Sequence, residues 1–303
     1  MNIIKTGALL LATLSASAAF AQTTGVAAPK PREVGTTEQA QIARVVAARF
    51  GANFPSDTRY AAAGPFRFAS NKLFSFIDRS DVGSIGLENP QYGINAKPLD
   101  PALVGRDVMV PRALKALDKA GINIGELVFA NFEDEYVGAG QPQLLPKDYD
   151  PRKNSQLVAR SVRFERQVNG LPVFGSEVLV GLLPDGSIGR LRYHAPPVDA
   201  RQLEEAAGLS KLVKAGGWKL PDELRRSDIA VLDMRIGLGQ SGFVSVVPRS
   251  APVVRVLIRH LGSDKALPLQ STRYAYFDVN GAEVLLDDVA AVPASVADRK
   301  TLR

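Results

Sequence analysis

Between Val158 and Val168 the side chains alternate. Val162, Phe164 and Val168 fall on one side of an extended chain, and Arg163, Glu165 and Gln167 fall on the other. Asn169-Gly170 follows at once, a pair suited to the two positive-φ positions of a tight hairpin turn. A two-residue turn can only return the chain alongside itself, so Val173 to Leu183 must lie antiparallel to the first strand. Pro184-Asp185-Gly186 supplies a second turn into Ile188 to Tyr193. The result is a three-stranded meander, or a four-stranded one if Leu127 to Tyr136 joins it. Arg166 alone breaks the alternation.

An antiparallel layer with one apolar face needs a helix to cover it. Three helices are legible. In the first, Thr36 and Gln39 have capping-box spacing, Ile42, Val45, Val46 and Phe50 form a stripe, and Gly51 ends it. The second starts near Pro111, runs through Leu114, Leu117 and Ala120, and stops at Gly121. The third is capped by Asp199 with Gln202, aligns Leu203, Ala206, Leu209 and Val213, and closes at Gly216-Gly217. Strands follow it at Ile229 to Ile236, Val253 to His260, Arg273 to Val279 and Ala282 to Leu286, with Asn280-Gly281 as a further hairpin turn. Helix plus four-strand meander therefore occurs twice. The fold class expected is α+β, in tandem modules of one helix packed on an antiparallel meander.

The first 21 residues carry one charge, Lys5, then an apolar run and a small-residue ending, Ala19-Phe20-Ala21. This reads as a secretory signal peptide, too short in its apolar part for a bilayer span of roughly 20 residues. The organisation expected is a signal peptide (1–21), a flexible tether (22–35), an N-terminal helix with an irregular segment (36–100), two helix-plus-sheet modules (101–195 and 199–290) and a tail (291–303). No later window suits an integral membrane span, and the destination implied is periplasmic or secreted. The chain has no cysteine, so disulfides and thiolate metal sites are excluded. Removing Lys5 takes the net charge from +6 to +5. That mild excess, without Lys/Arg blocks, does not make a nucleic-acid footprint.

Catalytic patterns are sparse. The two histidines, His194 and His260, stand at strand ends, outside the spacing that puts two metal ligands on one helical face. Gly239-Gln240-Ser241-Gly242-Phe243 lacks the closing glycine of a nucleophile elbow and reads as a hairpin connection. Glu133, Asp134 and Glu135 alternate between faces of a strand, and Asp287-Asp288 sits at a strand end, so neither cluster makes a metal site. No cofactor is expected. A carboxylate pair assembled in space, as in a hydrolase, and a small-ligand or lipid carrier remain as alternatives to a binding protein.

The run from Val162 to Val178, with Pro184-Asp185-Gly186, resembles the fungalysin/thermolysin propeptide (FTP) module of thermolysin-like proteases. Tyr276 to Leu285, around Asn280-Gly281, looks like the closing hairpin of the PepSY domain that follows that module. The resemblance implies a cystatin-like/PepSY-like fold and a non-enzymatic protein that restrains a secreted or periplasmic peptidase or assists its folding. It does so here without a protease domain in the chain. The residues that carry it, and hence a partner contact, are Arg163, Phe164, Gly170, Pro172, Val173, Phe174 and Gly175. The family commonly has Gln where Arg166 stands and His where Ser161 stands.

Overall fold

The computed structural model describes residues 32–286, apart from 51–53, 55, 72–73, 80, 90–91, 93–98, 101, 103, 139–154, 184, 243–249, 261–271 and 285. The expected signal peptide, most of the tether, the tail, the helix-ending Gly51, Pro184, Phe243 and Asp287-Asp288 lie outside the described residues. No helix among those described is long and apolar enough to cross a membrane.

Among the described residues three α-helices and twelve strands form an α+β arrangement in which antiparallel pairing dominates. The order is β1 (Arg32–Glu33), α1 (Thr36–Phe50), β2 (Arg59–Ala63), β3 (Phe66–Ser70), β4 (Ser75–Arg79), β5 (Ser84–Glu88), α2 (Arg106–Lys119), β6 (Leu127–Gly138), β7 (Ser155–Val168), β8 (Leu171–Leu182), β9 (Ile188–His194), α3 (Ala200–Lys214), β10 (Ile229–Gln240), β11 (Ser250–His260) and β12 (Thr272–Phe277). Of the described residues, those from Arg32 to Phe164 with Val178–Tyr193 make one compact unit, and Glu165–Glu177 with those from His194 to Leu286 make the other.

In unit 1 the strands run in the order β1, β2, β3, β4, β5, β9, β8, β7, β6. Ile42 and Val46 of α1 and Met109, Ala113 and Leu117 of α2 join Phe76, Ile85, Leu87, Val162, Phe164, Val178, Val180 and Leu191 in a single apolar cluster. Both helices thus cover the same face of the layer. The stretch read as irregular, 52–100, holds β2 to β5. These strands are five residues each and turn at Gly64 and Gly83, both at positive φ, so each is too short to show a clear period.

Helix starts differ from expectation. Thr36 is the first residue of α1, the Gln39 amide bonds the Gly35 carbonyl, and the Gln39 side chain donates to the Val34 carbonyl (2.8 Å). Val45, expected in the buried stripe, is 39% exposed. Pro111 lies inside α2, because the Val108 and Met109 amides already bond the Gly105 carbonyl and start the helix earlier. Pro111 faces solvent, where the Asp107 carbonyl left without an amide can be hydrated.

In unit 2, β8 runs parallel to β10 (Val173 beside Leu238, Phe174 beside Gly239), while β10–β11 and β11–β12 are antiparallel. α3 has the complete Asp199/Gln202 capping box. Its Leu209 packs with Trp218, Val254, Val256, Ile258 and Phe277, and its Ala206 with Val173 and Leu238. The Gly239-Gln240 pair, read as a loop, closes β10, and Gln240 is fully buried. The strand expected from Ala282 reduces to a bridge between Phe277 and Glu283. The two Asn-Gly turns also differ. Asn169 and Gly170 are both left-handed (φ 52 and 78), whereas the turn at 280–281 is held by Asp278 Oδ1, which accepts the Asn280 and Ala282 amides (2.8 and 2.9 Å).

Candidate functional site

The seven residues singled out by sequence divide between the units. Phe164 is buried in the unit 1 core, and Arg163 beside it is ion-paired to Glu133. Gly170, Pro172, Val173, Phe174 and Gly175 belong to unit 2. Gly170 shapes the hairpin turn, and Val173 faces α3. Gly175 has φ +84, and a Cβ there would stand 2.0 Å from the Gln240 carbonyl oxygen, so only glycine lets β8 approach β10 so closely. Most of the motif is scaffold.

Phe174 is different in kind. One step along an extended strand from Val173, it turns to the face away from α3 and packs with Val253, Tyr276, Tyr274 and Leu286. The Arg255 guanidinium lies 4.3 Å from the Phe174 ring centroid and 4.5 Å from that of Tyr274. Burial pushes the Tyr276 phenol up to about 12, and the neighbouring Arg255 opposes that shift. Arg235 on β10 stands directly across from Arg255. Two cations side by side on one face repel, and Arg235 has Asp233 (3.0 Å) and Glu165 (3.7 Å) as counter-charges. Arg255 has no carboxylate partner among the described residues. Neither Arg255 nor Tyr274 was found from sequence. The usable signal was their shared period-two phase with Val253, Leu257 and Tyr276.

A buried polar lattice sits in the same unit. Arg166 Nη1 donates to the Pro196 carbonyl (2.6 Å), which also accepts from Gln240 Nε2 (3.2 Å), and Ser176 Oγ donates to Gln240 Oε1 (2.8 Å). His194 Nε2 donates to the Ser241 carbonyl (2.7 Å). Arg166 breaks the strand alternation because it satisfies a buried carbonyl. His194 is buried, and His260 ends β11 exposed.

The acidic cluster of unit 1 is taken up by three separate arginines. Glu133 pairs with Arg163. Asp134 accepts from Arg160 Nε and Nη2 (2.6 and 2.7 Å). Glu135 pairs with Arg190, which also reaches Glu88 (2.7 Å). Ser161, on the face away from the helices, bonds Tyr92 (3.0 Å), whose phenol burial raises to about 12. Burial also raises the Asp78 carboxyl, although Arg67 at 3.7 Å opposes it. A hollow of about 210 Å³ between the C-terminal ends of α1 and α2 is lined by Arg49, Lys119 and Asp185. The Asp185 carboxyl is held below its usual range because its oxygens accept the Ser187 hydroxyl and amide. These arrangements position charge in pairs.

No protein-family model and no curated protein matches the chain. Among solved structures, an uncharacterized protein from Eubacterium rectale ATCC 33656 is similar over 86% of this chain and 86% of its own, at 12% identity and a TM-score of 0.41. The Bacillus megaterium YpeB C-terminal domain is similar over 86% of this chain and 99% of its own, at 13% identity and a TM-score of 0.34.

Proposed function

We propose that this chain is an exported, non-enzymatic binding protein whose partner is a peptidase or another exported polypeptide. The observation that carries the reading is the outer edge of β6. This twelve-residue strand pairs with β7 alone among the described residues, so its other side offers a row of main-chain donors and acceptors. An extended peptide adds to such an edge through main-chain hydrogen bonds, with alternate side chains supplying selectivity. The arginine pairing of Glu133, Asp134 and Glu135 supports the same reading over a hydrolase, since each carboxylate already has a structural task.

The likeness of Val162 to Val178 to FTP modules supports a peptidase as the partner. The recurring order of one helix followed by strands, at α1, α2 and α3, supports tandem helix-on-meander modules of the cystatin-like/PepSY-like kind. The small-residue ending at Ala21 supports export to the periplasm or beyond. The test is to mix purified residues 22–303 with metallopeptidases from the secretome of the source organism and follow complex formation and peptide cleavage. A stable complex with slowed cleavage is expected. Free migration of both components at micromolar concentration, with undiminished cleavage, would overturn the proposal.

A further inference from the structure

We propose that the Arg255 guanidinium, packed against the Phe174 and Tyr274 rings, is a recognition site for a carboxylate side chain of an acidic partner peptide. The rings at 4.3 and 4.5 Å fix the plane of the guanidinium. One N–H of the fork is donated to the Tyr276 hydroxyl, and a fixed planar guanidinium with its remaining N–H groups loses little freedom when it takes a carboxylate. The surroundings are cationic. Arg235 lies directly across, and Arg259 lies on the same face of β11, two side chains further along. Asp233 and Glu165 are committed to Arg235, and neither Arg255 nor Arg259 has a carboxylate partner among the described residues. The net positive charge, +6 for the full chain and +5 without Lys5, gives an acidic peptide a favourable long-range field. This site lies on unit 2 and stands without the peptidase reading.

The probe is a fluorescein-labelled peptide of alternating Glu and Val, with its Gln/Val counterpart as control, titrated into residues 22–303 and followed by anisotropy. Binding of the Glu peptide alone is expected. Arg255→Gln should weaken it at least tenfold. Arg255→Lys, which keeps the charge without the fork and serves if Arg255→Gln does not fold, should weaken it at least threefold. Arg225→Gln, at an exposed arginine elsewhere in unit 2, should change it less than twofold. The proposal is overturned if the wild type ignores the Glu peptide, if Arg225→Gln weakens binding as much as Arg255→Gln, or if Arg255→Lys binds like the wild type. It is also overturned if binding emerges only in the Asp287→Asn/Asp288→Asn chain, which would mean the chain's own acidic pair fills the clamp. Peptidase inhibition measured beside it can fail or succeed without changing these outcomes.

Discussion

Unit 1 and unit 2 are made from the same kinds of element and dispose of their polar groups in opposite ways. In unit 1 two helices lie over one continuous apolar cluster, and the charges on β6, β7 and β9 neutralise one another in pairs. In unit 2 one helix covers part of the layer, the apolar residues fall into three smaller clusters on both faces, and Arg255 is left with rings for neighbours. Covering a face with helix leaves main-chain edges as the means of contact. Leaving a face uncovered lets side chains do that work.

If unit 1 rests on a single shared cluster, truncating its centre should have the largest effect. Phe76 is 1% exposed and touches the rings of Phe50 and Phe54. Phe76→Ala should cost about 4 kcal/mol in urea unfolding followed by circular dichroism. A loss below about 1 kcal/mol would mean the cluster is not the continuous core described, since that is the scale of a surface change.

Unit 2 should break most readily where β8 meets β10. Gly175→Ala brings both a left-handed φ and a Cβ against the Gln240 carbonyl, and about 3 kcal/mol is expected from strain of that size. Gly170→Ala has the φ penalty with no atom within 4 Å, so about 1 kcal/mol is expected. Equal losses at the two positions would remove the close approach as the reason for glycine at 175.

Each unit also hides one phenol. Tyr92 in unit 1 and Tyr276 in unit 2 are both raised to about 12 by burial, so the folded state favours the neutral form. Their contribution is fully present below the unfolded value near 10 and is lost as pH rises through about 12, roughly 2–3 kcal/mol for each. Stability measured from pH 9 to 12 should therefore fall. Tyr92→Phe should make the fall shallower at a cost of about 1 kcal/mol for the Ser161 bond. An unchanged slope in that variant would exclude Tyr92 as a source.

The contrast in ion pairing predicts a smaller effect. Asp134 and Arg160 are each 19% exposed and share two bonds, so Asp134→Asn should cost about 2 kcal/mol and depend weakly on salt. Glu205→Gln, at an exposed pair on α3, should have a much smaller effect that vanishes in salt. Matching losses would show that the unit 1 pairs are as superficial as that one.

What was legible in the sequence follows from element length and local turn chemistry. β7 and β8 are long, β7 alternates except at Arg166, and the two meet at Asn169-Gly170, so their pairing could be read from neighbours alone. β2 to β5 are five residues each, and their faces are set by partners such as Phe68 with Ile77 and Leu87 with Leu191, which no local window reveals. The parallel contact of β8 with β10 joins residues far apart in sequence and was invisible for the same reason. Within the candidate site Phe174 was found through a motif. Arg255 and Tyr274 were missed, because what distinguishes them is the approach of the Arg255 guanidinium to rings from two other strands, β8 and β12.

The helix starts give the smallest and sharpest version of the comparison. In unit 2, α3 begins at Asp199, whose carboxylate accepts the Gln202 amide (2.8 Å) while the Gln202 side chain accepts the Asp199 amide (3.3 Å). In unit 1, α2 begins at Gly105, with no side-chain cap although its backbone is already extended (φ −64, ψ 152). Asp199→Ala should therefore cost about 1 kcal/mol, and Asp199→Gly only a few tenths, because glycine keeps the cap conformation accessible and lets water reach the amides. The reverse change, Gly105→Ser, meets no atom within 4 Å and should return a few tenths of a kcal/mol. Thermal unfolding of the three variants tests the pair together. If Asp199→Ala is silent while Gly105→Ser stabilises, α3 is held by Ala206 and Leu209 alone, and its cap is incidental to unit 2.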